Sequence, residues 1–124
     1  MSGYWINLEE ETKKNNFFRK VLFTAPKSQL VLMALQPGEE IGMEVHQDHD
    51  QFFRFESGRG RMLIDDYEKE VGDGNAVVVP AGEQHNVINT SEKEVLKFYT
   101  IYSPPEHPDG TVHRTKTEAE ASEK

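Results

Sequence analysis

Two histidines and a carboxylate brought to one point make a site for a divalent metal ion, and this sequence offers such a set. In the stretch Ile41-Gly-Met-Glu-Val-His46, side chains two apart point the same way if the backbone is extended. Gly42, Glu44 and His46 then share one face, and Ile41, Met43 and Val45 the other. In the next apolar stretch Gln51, Phe53 and Phe55 share a face opposite Phe52, Arg54 and Glu56. Later, His85, Val87 and Asn89 share a face, with His85 placed just after the rigid Pro80-Ala-Gly82 segment. Glu44, His46 and His85, with the neutral amide oxygen of Gln51, would form one site for Fe, Mn, Ni, Co or Zn, with positions open to substrate or water. The chain has no cysteine, which excludes disulfides, thiolate ligands and a Cys nucleophile and leaves His, carboxylate and amide groups to do any metal chemistry.

Other groups compete for these roles. His49 and Asp50 replace Gln51 or Glu44 if the strand register differs by one residue, and are otherwise polar loop residues. Phe53 and Phe55 either wall a small-molecule cavity or fill the core, and inward aromatics usually do the latter. Arg54 alternates outward and Arg59 and Arg61 flank Gly60, so all three are read as solvated rather than phosphate-binding. His107 and His113, in a Pro-rich segment after the last long strand, are read as surface or edge packing. Beyond the ligands, Tyr99, Tyr102 and His49 are the acid/base candidates.

The elements that must position these residues follow from patterning. The 124 residues suffice for one domain with a hydrophobic core, and twelve aromatics argue for a folded chain. A formal charge of -8 argues against nucleic acid and anionic membrane partners. The amino terminus lacks a basic segment and the apolar run of a signal peptide, so the expected location is cytoplasmic. From Phe17 onward, short runs rich in Val, Ile, Leu and Phe are broken at regular intervals by Gly, Pro, Asn or Asp, an all-β pattern. Strands are predicted at Lys20 to Thr24, Gln29 to Gln36, Ile41 to Val45, Gln51 to Ser57, Arg61 to Asp65, Tyr67 to Val71, Ala76 to Val79, His85 to Asn89 and Val95 to Tyr102. Pro37-Gly38, Asp65-Asp66 and Gly72-Asp73-Gly74 supply turn chemistry, and Gly58, Gly74 and Gly82 are read as backbone devices. Residues 1–19 are expected to form an amino-terminal arm, with Asn7 to Asn16 either a short helical turn or an ordered arm, residues 20–105 a barrel, and residues 106–124 a partly disordered extension whose charged tail from Arg114 is a frayed helix or a disordered end.

The stretch Gly74-Asn-Ala-Val-Val-Val-Pro80-Ala-Gly82-Glu-Gln-His85-Asn-Val-Ile-Asn89 resembles the second sequence motif of the cupins. The first cupin motif, His-x-His followed by Glu and then Gly, is matched in spacing by Glu44-Val-His46, Gln51 and Gly58, with Glu44 where the family has its first His and Gln51 where it has its Glu. The resemblance covers Gln29 to Tyr102, and the flanks look like small bacterial cupins loosely described as mannose-6-phosphate isomerase-like. It implies an all-β double-stranded β-helix, or jelly-roll barrel, holding one divalent metal on Glu44, His46, Gln51 and His85, and a homodimer. It further implies a small-molecule ligand, acted on by an isomerase or a dioxygenase-like oxidoreductase, or bound by a non-enzymatic sensor.

Overall fold

Period-two alternation of apolar residues lets a strand bury one face, and two such sheets can hide their apolar faces only against each other. The computed structural model describes residues 3–123 and realises this arrangement. After helix α1 (Leu8–Lys14) come strands β1 (Arg19–Thr24), β2 (Gln29–Leu35), β3 (Asp50–Ser57), β4 (Arg59–Ile64) and β5 (Tyr67–Gly72). Strands β6 (Ala76–Val79), β7 (His85–Asn89), β8 (Leu96–Ser103) and β9 (Val112–His113) and helix α2 (Lys116–Ser122) complete the chain. One sheet has the order β6-β3-β8-β2-β1-β9 and the other β5-β4-β7, which together make the jelly-roll barrel expected above. Among the described residues no helix is long and apolar enough to cross a membrane.

The barrel interior is filled by Val31, Met33 and Leu35 of β2, Phe53 and Phe55 of β3 and Leu96 and Phe98 of β8, packed against Met62, Val71 and Val87 of the smaller sheet. Phe53 and Phe55 have no exposed surface, so they are core, and the Phe55 and Phe98 rings lie 5.1 Å apart. Each such buried side chain contributes about 1.5–3 kcal/mol. The core occupies the lower and middle barrel. At the opposite end the inward positions turn polar, with Gln51 of β3 directly across from Tyr102 of β8.

Two expectations are corrected. Residues 41–45 do not form a strand; the segment touches β7 only through isolated bridges, Glu40 with Ile88 and Glu44 with His85. Gly42 lies between them at φ +109°, a conformation that interrupts an extended ladder. The charged tail, expected to fray or stay disordered, folds into α2. Thr115 caps this helix by accepting the Glu118 N–H, and Ala119, 3% exposed, joins the core cluster. Ala119 and a hydrogen bond between Ser122 Oγ and His113 Nε2 dock the helix, where a long apolar stripe was sought. The arm contains α1, capped by Asn7 and carrying Glu9, Glu10 and Glu11 in its first turn and Lys13 and Lys14 in its last, as the helix dipole favours.

The turn glycines differ in what holds them. Gly58 has φ +92°, and a Cβ there would stand 2.5 Å from the backbone carbonyl oxygen of Val95, whereas Gly74, at φ +88°, has open space around it. Gly58→Ala should therefore cost at least about 2 kcal/mol and Gly74→Ala about 1 kcal/mol. Denaturant unfolding of both variants checks this, with equal losses counting against the steric account.

Candidate metal centre

The mouth of the barrel is assembled by one backbone exchange. Glu44 N–H donates to the His85 carbonyl at 2.8 Å and His85 N–H donates back to the Glu44 carbonyl at 2.9 Å. Adjacent links extend the seam, as Ile41 N–H donates to Val87 O and Asn89 N–H to Glu39 O. The far end of the segment is held by Gly82 N–H donating to the His46 carbonyl at 2.9 Å. The predicted alternation survives from Met43 onward without the regular strand, with Met43 and Val45 exposed and Glu44 and His46 turned inward, but Ile41, expected on the outward face, packs against the core on the other side of the Gly42 break.

Glu44, His46 and His85 each offer a donor atom, all within 4.8 Å of one another. Gln51, 1% exposed, donates through Nε2 to Thr100 Oγ1, and its Oε1 lies 3.1 Å from His85 Nε2. Phe53 packs against the His85 ring, with centroids 5.9 Å apart. The four predicted positions thus meet at one place. His49 and Asp50 do not join them: His49 faces the Pro104 carbonyl and Glu106, and Asp50 accepts the Ala81 N–H, tying the turn before His85 to β3.

Two observations test whether these residues suit a cation. His46 Nε2 is buried without a hydrogen-bond partner, and the nearest carboxylate oxygen, Glu44 Oε1, stands 3.6 Å away. An orphaned imidazole nitrogen facing a carboxylate across that gap is costly unless something positive lies between them. At His85 both ring nitrogens face oxygen acceptors, Glu83 O through Nδ1 and Gln51 Oε1 through Nε2, each at 3.1 Å. Burial holds the His85 pKa below its ordinary value, so the neutral ring has one proton for two acceptors. With Nδ1–H given to the Glu83 carbonyl, the Nε2 lone pair is left pointing into the cluster, the usual way a backbone carbonyl orients a metal-ligating histidine. The donor set fits a divalent ion.

The surrounding charges reinforce one another. Burial opposes ionisation of Glu44, but His46, Arg19 and His85 outweigh it and hold the carboxyl below its ordinary value. The Glu44 carboxylate in turn raises the His46 pKa against the opposing effect of burial. Burial pushes the Tyr102 hydroxyl up, so it stays protonated.

Reasoning from sequence missed Arg19, which lies one residue before the predicted first strand. It is 4% exposed, and it shares the inward face with Val21. Extending the alternation back from Val21 would have found it. His107 packs edge-on against Tyr102, with ring centroids 5.2 Å apart, and its backbone N–H donates to Gln29 Oε1. His113 sits on the edge strand β9 and bonds Arg19. Arg54 and Arg61 lie away from the mouth beside Glu56 and Glu68.

A family model for the cupin domain matches residues 31–102. The uncharacterized protein YrkC of Bacillus subtilis is 48% identical over 124 residues, covering 95% of this chain and 66% of its own length. The uncharacterized protein L612 of Acanthamoeba polyphaga mimivirus is 45% identical over 112 residues, covering 88% of this chain and 70% of its own. The chain therefore spans about two thirds of these relatives. The crystal structure of BH2720 from Bacillus halodurans superposes with a TM-score of 0.94 at 45% identity, covering 97% of this chain and 95% of that one.

Burial and the nearby Arg19 charge depress the His107 pKa to about 4. The unfolded chain, with an ordinary histidine near 6.5, binds this proton first. His107 therefore subtracts stability as pH falls from about 6.5 toward 4. In metal-free protein, the loss of Tm between pH 7 and pH 5 should be smaller for His107→Gln than for wild type. Identical losses would show that His107 titrates normally.

Proposed function

The chain belongs to the cupin domain family, and from that premise we propose that it is a metal-dependent small-molecule-binding protein. Its divalent ion is held by Glu44, His46 and His85, with Gln51 as a weaker fourth donor. The observation that carries this reading is the buried, unpartnered His46 Nε2 within a cluster of three metal-ligating side chains. Two imidazoles, a carboxylate and an amide oxygen suit Fe, Mn, Co, Ni or Zn better than the hard all-oxygen preference of Mg or Ca. When bound, such an ion supplies Lewis-acid polarisation, or redox chemistry if it is iron or manganese, to an oxygen-bearing ligand.

The chain's own residues prepare the place. The Glu83 carbonyl fixes the His85 tautomer, Thr100 orients the Gln51 amide, and Phe53 and Tyr102 enclose the cluster from below and beside it. Sugar-phosphate isomerisation is the weaker reading, because none of the three arginine candidates named from sequence lies at the mouth: Arg54 and Arg61 stand beside carboxylates, and Arg59 borders a separate cavity with Gly72 and Lys93.

Pairing with a second copy belongs to the same proposal. Val78, Phe52, Ile101 and Leu30 are cross-strand neighbours in one row over the outer face of the large sheet, and Val78 is 62% exposed. An apolar row of this kind, together with Trp5 at 91% exposure, fits a covered surface. Sedimentation should give a dimer for the wild type and a monomer for Phe52→Asp; a wild-type monomer at micromolar concentration defeats the pairing.

The metal reading is tested by elemental analysis of protein purified without chelator and reconstituted with each candidate ion. One ion per chain is expected for wild type and His107→Ala, and less than a tenth of that for His46→Ala and His85→Ala. Gln51→Glu should tighten binding about tenfold, since an ionised carboxylate replaces a neutral amide. Equal metal content in all variants would refute the assignment.

A further inference from the structure

Arg19 is buried beside the proposed metal ligands, and its guanidinium lies over the Phe18 ring, 5.2 Å from the centroid, with no carboxylate paired to it among the described residues. It forms no ion pair among the described residues although it is only 4% exposed. Its Nη1 donates to His113 Nδ1 at 3.2 Å, while Nε is buried with no partner and Nη2 makes no hydrogen bond to a described residue. A buried guanidinium with an unpaired donor is costly, and one left so beside a cavity is set up to bind something.

The rest of the environment holds Arg19 in place. Burial, and then Arg19 itself, depress the His113 pKa, so this ring is neutral and accepts from Arg19 through Nδ1. Its Nε2–H donates to Ser122 Oγ at 3.1 Å, and that hydroxyl donates to the Ala119 carbonyl at 2.9 Å. The chain of bonds fixes one Nη1 bond and leaves unpaired the side edge of the guanidinium, where the Nε–H, closed to solvent in the unliganded chain, and one Nη2–H run parallel. That edge matches the two oxygens of a carboxylate.

Arg19 also lines two adjoining spaces at the mouth. One, of about 70 Å³, it shares with Glu44, Ile41 and Ala119. The other, of about 410 Å³, it shares with Glu106, His107 and His113. The first is large enough for a carboxyl group and reaches a proposed metal ligand; the second has room for the body of a small molecule. Glu44, Glu106, Glu120 and Glu123 outnumber Arg19 and Lys116 around these spaces, so a singly charged group is favoured over a phosphate dianion.

We propose that Arg19 anchors the carboxylate of a small organic acid, which is the ligand class of this site, with a hydroxyl or oxo oxygen of the same acid directed toward Glu44, His46 and His85. The second half of this statement rests on the metal reading; the carboxylate contact at Arg19 does not.

The test uses pyruvate as the probe on the full chain, metal-free and Zn²⁺-loaded, with calorimetry and NMR of the assigned Arg19 Nε–H. Pyruvate is expected to shift the Arg19 Nε–H saturably in the metal-free protein and to bind at least tenfold more tightly once Zn²⁺ is present. Arg19→Lys, which keeps the charge but loses the fork, should weaken pyruvate binding at least tenfold with Zn²⁺ stoichiometry unchanged. Inorganic phosphate should leave the resonance unmoved. No saturable shift in the wild-type protein, undiminished binding by Arg19→Lys, or displacement of pyruvate by phosphate would each overturn the proposal. Should Arg19→Lys fail to fold, the wild-type resonance alone decides. Zn²⁺ binding without a pyruvate response would defeat the Arg19 anchor and leave the metal reading standing, whereas a pyruvate shift without Zn²⁺ binding would do the reverse.

Discussion

The paired backbone hydrogen bonds between Glu44 and His85 are the constraint on which the mouth of this barrel depends. They join an irregular segment to the edge of β7 where no continuous ladder exists, and they set two side chains of the cluster next to each other on the same face. Everything else at the mouth is arranged around that exchange. His46 follows two residues later and is held by Gly82, while the turn bearing Gly82 is fastened to β3 by Asp50. A backbone pair is a good choice for this task, because it fixes Cα positions without consuming the side-chain donors that face the cavity.

The site is also a balance of charge in a chain that is acidic overall. Burial keeps His85 and His107 neutral and Tyr102 protonated. Glu44 is the carboxylate of the cluster, and it is stabilised by the same groups that it stabilises. Of the four buried unpartnered side-chain atoms among the described residues, His46 Nε2 and Arg19 Nε lie at the mouth, and Arg54 Nε and Glu56 Oε1 lie on β3. The core beneath the mouth is apolar.

Much of the fold was legible because it follows from local patterning. The runs Ala76–Val79 and His85–Asn89 were predicted with the boundaries they have, since Pro80 and Gly82 end one strand and His85 opens the next. The segment 41–45 was not, because its alternation implied an extended face while Gly42 breaks the ladder, and alternation says nothing about which partner strand is available. Helix α2 escaped for a related reason: Ala119 is its one buried residue, and one residue leaves no periodic signal.

The amino-acid sequence by itself determined the all-β architecture and the absence of thiolate chemistry and supplied four candidate donors, because residue type, two-residue alternation and turn chemistry are local properties. Only the tertiary structure decided which donors meet. It left His49 and Asp50 out of the Glu44, His46 and His85 cluster, with His49 turned toward Glu106 although its ring lies edge-on to that of His46, and it brought Arg19, His113 and the carboxy-terminal helix to the same mouth from opposite ends of the chain. Those outcomes depend on strand pairing across long sequence separations, where the energy of a contact is set by which faces are buried together and not by any property of the residues taken singly.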